Sequence, residues 1–321
     1  MTILIAGGAG FIGSNLVIPL LDCGQAVVIA DSFIRGNRKY LAEFHGNAAV
    51  HIIEADLANR GECAATFKYA QKLGVISEVW HLAANSDIPA GVANPDIDLK
   101  DTFLTTFEIL RCMKSFNVRV FNFASSSAIY GDLGGQELHE SIGPLFPISN
   151  YGAMKLASEA QASAAAESHL DRVNLLRFPN VVGVPATHGV ILDFIKKMRG
   201  KSSVLNVLGD GTQQKAYLHV SDLIEAMLLV QSHPHAAKIN AVNIGPVDDG
   251  ICVRWIAEQV VARVNPGASI VFGTGNKGWV GDVPKFHYST EKLKSFGWSP
   301  KLGSAEAVMR AIDEIATQEG V

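Results

Sequence analysis

The chain has 321 residues, 48% of them hydrophobic and 18% charged, and a formal net charge of −4. Such a composition excludes a disordered polar chain, and the slightly negative total excludes the basic surface that neutralises the phosphates of a nucleic acid. The length accommodates one large α/β unit, or a dinucleotide-sized domain with a smaller partner.

Met1 to Ala6 form an apolar start that runs straight into glycines, with no basic segment and no cleavage signature. The expectation is a protein that begins at Met1 and stays in the cytoplasm. No window approaches the roughly 20 apolar residues of a membrane helix. Short Val- and Ile-rich runs at residues 2 to 6, 26 to 30, 50 to 54, 77 to 81, 118 to 123 and 172 to 177 read as strands. Between them, residues 11 to 23, 60 to 72, 97 to 116 and 151 to 169 carry helical periodicity and strong helix formers. This alternation predicts a doubly wound α/β fold, a parallel sheet covered by helices on both faces. The Ala-rich helix 151 to 169 has small side chains on nearly every face, which suits close packing against another helix. Together with 97 to 116 it is the expected interface of a homodimer.

Past residue 178 the alternation becomes irregular, punctuated at Pro179, Gly183-Val184-Pro185, Gly209-Asp210-Gly211 and Gly245-Pro246. A smaller C-terminal α/β lobe is expected to begin there. Residues 215 to 231 read as a short strand followed by an amphipathic helix, and 241 to 244 as another strand, so the chain is expected to return to the first sheet. The resulting division is 1–178 with 215–245 for a dinucleotide-binding domain, and 179–214 with 246–321 for a substrate lobe. Cys23, Cys63, Cys112 and Cys252 lie far apart, without a C-x-x-C pair, and read as reduced buried thiols.

Gly7-Gly8-Ala9-Gly10-Phe11-Ile12-Gly13 follows the first strand and opens the first helix, the context that a dinucleotide fingerprint requires. Glycine is needed because the turn takes unusual dihedrals and a side chain would hold a pyrophosphate away from the amides of the helix N-terminus. Asp31, after the second strand, is placed to accept from the adenosine ribose hydroxyls and to repel a 2′-phosphate, which favours NAD over NADP. Arg35 and Arg38 follow and offer a 2′-phosphate two cations. Asp56-Leu57, after the third strand, sits where an acidic side chain meets an adenine amino group or simply caps a turn.

Tyr151 and Lys155 stand four residues apart, on one face of a helix. A tyrosine working as a base near neutral pH needs its pKa lowered by roughly three units, about 4 kcal/mol. A nearby Lys charge and the positive nicotinamide ring of NAD⁺ are adequate sources. Ser126, beyond the strand 118 to 123, comes up at the carboxyl edge of the sheet, where its hydroxyl can bond a reacting oxygen. Metal readings are weaker: His233 and His235 flank Pro234 with no carboxylate or Cys partner at ligand spacing, and Asp248-Asp249-Gly250 lacks the later ligands of a calcium loop. His188 either touches a sugar or fills a turn.

Several further segments join these: His81-Leu82-Ala83-Ala84, Phe123 to Gly131 (FASSSAIYG), Arg177 to Gly183 (RFPNVVG) and Gly209-Asp210-Gly211-Thr212-Gln213. The ordered set resembles the extended short-chain dehydrogenase/reductase superfamily over nearly the whole chain, and within it the nucleotide-sugar epimerases of the UDP-glucose 4-epimerase kind. The resemblance implies a Rossmann-type domain holding NAD. Its cofactor contacts would be Gly7, Gly10, Phe11, Ile12 and Gly13 at the pyrophosphate, and Asp31, Ser32, Asp56 and Leu57 around the adenosine. Leu82, Ala83, Ala84, Thr102, Ser125 and Phe178 would complete them with Tyr151 and Lys155. Ser86, Ser126, Ser127, Asn180, Val190, Asn206, Lys215, Asp282 and Phe286 would face the substrate.

Relatives that remove water carry an Asp-Glu pair after the catalytic Ser or Thr, and decarboxylating relatives carry a Glu. Here the positions hold Ser127 and Ala128. Side chains without a carboxyl cannot protonate a leaving hydroxyl or abstract a C5 proton. What remains is oxidation and reduction at C4: Tyr151 takes the hydroxyl proton as hydride passes to NAD⁺, and the 4-keto sugar turns over before hydride returns. A net 4-oxidoreductase with the same Ser-Tyr-Lys set is the alternative, and a cofactor-sensing protein without catalysis would be expected to have lost that set. The chain departs from the family at Lys215, where Arg is common, at Trp279, also in place of an Arg, at Thr102 in place of Asn and at Ser86 in place of Lys. Phe286 is bulky where substrate size at C2 is gated.

Overall fold

The computed structural model describes residues 1–200, 203–276 and 287–321. The chain divides into two compact units, one of Met1–Ile129, Ser149–Arg177 and Met227–Val242, the other of Tyr130–Ile148, Phe178–Ala226 and Asn243–Val321.

The first unit is built on seven strands, β1 (Thr2–Ala6), β2 (Ala26–Asp31), β3 (Val50–Glu54), β4 (Ile76–His81), β5 (Val120–Ala124), β6 (Arg172–Arg177) and β7 (Ile239–Asn243). They lie in the order β7-β6-β5-β4-β1-β2-β3. The pairings β1–β2, β2–β3, β1–β4, β4–β5 and β5–β6 are all parallel. β1 is buried at every position, as a central strand covered on both faces must be. Strand order reverses between β1 and β4, so the loops after these two strands open a crevice at the carboxyl edge of the sheet.

The helices of this unit are α1 (Phe11–Asp22), α2 (Arg60–Leu73), α3 (Ile88–Ala93), α4 (Pro95–Asp98), α5 (Thr105–Ser115) and α6 (Asn150–Ser168). The helix expected over 97 to 116 is interrupted: Leu99–Leu104 winds as a π-helix between α4 and α5. Threonine hydroxyls accompany the widened turn, Thr105 donating to Lys100 O at 3.2 Å and Thr106 to Thr102 O at 2.8 Å. Ser149 caps α6, its hydroxyl accepting from Gly152 N at 3.1 Å.

In the second unit, Tyr217–His219 pairs in parallel with Asn180–Val182, and Ser269–Phe272 with Val204–Val207. Helices Val190–Arg199, Val253–Val264 and Ser304–Glu319 enclose a core that includes Phe194, Ile195, Val260 and Ile312. The expected boundaries shift accordingly. The strand near 217 does not rejoin the large sheet, because its partner is Asn180–Val182 and Tyr217 is part of the second core. Residues 130–148 also leave the first unit, with the Tyr130 hydroxyl donating to Asn243 Oδ1 at 2.7 Å and Asn243 N to Glu140 at 2.8 Å. Among the described residues of the late segments, only β7 reaches the sheet.

Cys63 and Cys112 are buried thiols as expected, whereas Cys23 is exposed and Cys252 half-buried. Among the described residues no helix is long and apolar enough to cross a membrane.

One buried ion pair ties α6 to the sheet. Arg177, at the end of β6, donates through Nε to Glu159 Oε1 at 2.9 Å and through its terminal nitrogen to Oε2 at 2.6 Å. The Ser125 hydroxyl donates to the same carboxylate at 2.5 Å. Breaking one side of such a pair strands the other charge, so Glu159→Ala is expected to cost about 3–5 kcal/mol. A shift of the urea midpoint to lower concentration at unchanged slope would show it.

Candidate active site

The glycine loop meets the loop after β4 at the sheet's reversal point. Gly7 has φ +80°, and a Cβ there would come within 2.6 Å of Ala83 N. A Cβ on Gly13 would strike Gly7 O at 2.5 Å and Gly8 Cα at 2.6 Å. These two glycines are required by packing inside the protein. Gly10 is different: a Cβ there meets only Gly7 O at 3.4 Å. It is also the N-cap of α1 and offers no side-chain cap, so the amides of the first turn at Phe11, Ile12 and Gly13 are left for an anion.

At the end of β2, Asp31 accepts from Ala9 N at 2.9 Å on Oδ2 and from Phe33 N at 2.8 Å on Oδ1. Burial pushes its carboxyl above the usual range, and the two amides oppose this. Gly36 packs against the same carboxylate, and Asn37 N donates to Ala9 O at 3.0 Å, so the loop after β2 is fastened to the glycine loop. The two arginines near Asp31 are engaged with other groups. Arg38 stacks 4.1 Å above the Phe33 ring and pairs with Glu54, and Arg35 pairs with Asp87 at 3.5 Å. A carboxylate held this way and an open phosphate cradle fit NAD.

Of the other cofactor expectations, Ser32 is half-buried and its hydroxyl accepts from Ile34 N at 3.5 Å. Asp56 accepts from Ala58 N at 3.0 Å and pairs with Lys100 at 2.8 Å, and Leu57 is buried. Leu82, Ala83 and Ala84 follow β4 and are half-buried. Thr102 lies in the π-helical turn, buried, with its hydroxyl accepting from Asn85 N at 3.1 Å. Ser86 is half-buried in the same loop as Asn85.

The proton-transfer residues come together in the first unit. Tyr151 and Lys155 lie one turn apart on α6, with Lys155 Nζ 5.8 Å from the Tyr151 ring centroid and 4.7 Å from that of Phe123. Lys155 is buried and donates to Ala124 O at 2.6 Å, at the end of β5. Tyr151 shares a side-chain hydrogen bond with Ser126. Ser126 Oγ also accepts from Ala128 N at 3.1 Å, and Ser127 beside it is buried.

The electrostatics run opposite to the expected lowering of Tyr151. Burial pushes the phenol up to about 12, with the Ser126 hydrogen bond opposing and the Asp98 charge adding to the rise. Burial likewise pulls Lys155 down to about 7, against the charges of Glu159 and Asp98. Both groups have left water, and in a low-dielectric site each favours its neutral form.

The remaining expected residues belong to the second unit. Phe178, Val190 and Lys215 are half-buried there, and Asn180 and Asn206 are exposed. Asp282, Phe286 and Trp279 lie outside the described residues. Two buried carboxylates near Tyr151 and Lys155 escaped the sequence reading, Glu159 and Asp98. Glu159 had a signal, since 151, 155 and 159 form one stripe of a helix. Asp98 had none, because its place depends on the π-helical turn.

With this geometry in hand, the family model described as "NAD dependent epimerase/dehydratase family" matches residues 3–245. A crystal structure of a UDP-galactose 4-epimerase is 34% identical, with a TM-score of 0.85 over 99% of both chains. The Thermus thermophilus UDP-glucose 4-epimerase, solved in complex with NAD, is 27% identical with a TM-score of 0.84, covering 98% of this chain and 99% of its own. The UDP-glucose 4-epimerase of Corynebacterium glutamicum is 28% identical over 94% of this chain and 91% of its own length.

The glycines are expected to separate by role. Gly10→Ala should leave thermal stability of the cofactor-free protein nearly unchanged and weaken NAD binding at least tenfold in calorimetry, whereas Gly7→Ala should destabilise the fold itself. Lys155 supplies a stability test with a defined sign. Its pKa falls from 10.5 to about 7 on folding. Between those values the unfolded chain holds a proton that the folded chain has released, so stability rises with pH, and the penalty is complete below about pH 7. Lys155→Met is therefore expected to stabilise the cofactor-free protein at pH 6 by about 1–3 kcal/mol, a gain that shrinks toward pH 10 in denaturant titrations.

Proposed function

The chain belongs to the NAD dependent epimerase/dehydratase family, and within that family we propose that it inverts C4 of a nucleotide sugar of the UDP-glucose/UDP-galactose kind. One observation carries this reading: Ser126, Tyr151 and Lys155 converge, while the two positions after Ser126 are Ser127 and Ala128. The set can move a proton at a hydroxyl-bearing carbon. Neither of the two positions that follow Ser126 carries a carboxyl with which to expel water or a carboxylate.

The Gly7–Gly13 cradle would hold NAD⁺ with Asp31 at its adenosine end, and the bound cofactor would supply reversible hydride transfer and a positive ring charge. The protein's own residues handle the proton. The Tyr151 phenolate takes the proton of the 4-hydroxyl and gives it back to the 4-keto sugar. Ser126 donates its hydroxyl to the same oxygen, since its own oxygen is already steadied by Ala128 N at 3.1 Å. Lys155, fixed to Ala124 O, stands beside the phenol as an ammonium that favours the phenolate. Asn180, Val190, Asn206 and Lys215 of the second unit are proposed to hold the nucleotide sugar, with Lys215 supplying a point charge to the diphosphate in place of a bidentate Arg. Asp282 and Phe286 belong to the same proposed set.

A homodimer through residues 97–116 and α6 is supported by apolar side chains that a lone protomer leaves in water. Leu99 is 44% exposed, and Leu104 and Phe107 are each 39% exposed.

An NMR screen of UDP, dTDP, GDP and CDP sugars is expected to yield the C4 epimer of one of them with no added cofactor. Stoichiometric consumption of NADH with a keto sugar would instead identify a net reductase. Tyr151→Phe keeps the ring and removes the phenolic oxygen, so turnover should fall by about 10²–10⁴ with NAD still bound, and near-normal turnover would end the mechanism. Light scattering at micromolar concentration should give twice the protomer mass.

A further inference from the structure

Asp98 closes α4 and has no exposed surface. Its Oδ1 accepts from Asn85 Nδ2 at 2.9 Å, and its Oδ2 is buried with no hydrogen-bond partner among the described residues. Oδ2 is pressed against Gly91, where a Cβ would come within 1.8 Å of it. The carbonyl of Gly91 in turn accepts from Asn150 Nδ2 at 2.9 Å, and Asn150 directly precedes Tyr151. α4 itself packs on α6. Asn85 is held from two sides, its N donating to the Thr102 hydroxyl at 3.1 Å and its Nδ2 reaching Asp87 O at 2.9 Å as well as Asp98.

A buried carboxylate with one amide donor is costly to keep charged: burial pushes the Asp98 carboxyl above its usual range, and the Asn85 hydrogen bond and the charges of Arg35 and Lys155 oppose that rise. The charged groups that face Asp98 are Asp101, Arg35 and Lys155. Arg35 is paired with Asp87. Lys155 is as deeply buried as Asp98 and lies on the helix against which α4 packs. The other carboxylate that acts on Lys155 is Glu159, whose charge is already met by the two donors of Arg177.

We propose that Asp98 is a positioning residue of the proton-transfer set: its negative charge, fixed by Asn85 and by contact with Gly91, whose carbonyl holds the start of α6, keeps Lys155 an ammonium and sets the pH window in which Tyr151 and Lys155 act together. The window rests on the epimerase reading; the coupling between Asp98 and Lys155 does not. The sign follows from charge alone. A negative neighbour favours the protonated form of both the ammonium and the phenol, so its removal moves both titrations to lower pH.

Asp98→Asn keeps the size of the side chain and its acceptor for Asn85. The full-length protein, labelled with ¹⁵Nζ-lysine, is titrated by NMR, with Lys155→Met identifying the resonance. The wild-type midpoint is expected at about 7, and Asp98→Asn is expected to lower it by about one pH unit. Asn85→Ala, which removes the donor and leaves the carboxyl to take up a proton, should lower it in the same direction and serves if the first variant does not fold. In turnover assays both limbs of the pH profile should move down together, whereas a merely structural defect reduces the rate at every pH and moves neither limb. An unmoved Lys155 midpoint in the variants overturns the proposal even if activity falls. A screen in which no nucleotide sugar reacts would end the epimerase reading and leave the lysine titration to decide this one.

Discussion

The carboxylate of Glu159 grips two fixed points at once, Arg177 at the end of β6 and Ser125 just past the end of β5. Glu159 is one turn along α6 from Lys155 and two from Tyr151, so this grip sets the rotation and height of the helix over the carboxyl edge of the sheet. Ser126 is the next residue after Ser125 and meets Tyr151 without further adjustment. An ion pair buried this deeply adds little net stability compared with apolar residues of the same volume. Its effect is geometric, because a planar guanidinium answered on two nitrogens allows one orientation of the pair.

Burial then acts on everything the grip has placed. Lys155 and Tyr151 are both pushed toward neutral forms, the first to about 7 and the second to about 12. A fold selected for stability alone would not hold a lysine there. Its burial is opposed by the hydrogen bond to Ala124 O and by the neighbouring carboxylates. The carboxylates of Glu159 and Asp98 oppose that desolvation for Lys155, and Asp98 adds to the rise at Tyr151.

On the cofactor side the glycines divide by what excludes a side chain. At Gly7 and Gly13 it is the protein's own backbone, whereas at Gly10 the protein leaves room for a Cβ. The basic residues near Asp31 divide in a similar way. Arg38 and Arg35 are drawn to Glu54 and Asp87, and among the described residues the Asp31 carboxylate is met by the amides of Ala9 and Phe33 and by no paired cation. With both arginines engaged elsewhere, neither is free to receive a 2′-phosphate, in keeping with membership of an NAD-dependent family.

The parallel sheet, the strand-to-helix glycine turn and the Tyr151/Lys155 face were legible in the sequence because each depends on local periodicity or spacing, and neighbouring residues alone dictate those. Membership of the family rested on the same ordered motifs. The division between units was not legible in the same way: residues 130–148 and the strand Tyr217–His219 join the second unit through partners such as Asn243 and Asn180–Val182 that are distant in the chain. The π-helical turn, the burial of Asp98 against Gly91 and the upward push on Tyr151 were likewise decided only in the folded molecule. Spacing along a chain records which groups can meet. How much water each one loses on meeting is a property of the whole packed interior, and it is this loss that sets the charge on Tyr151 and Lys155.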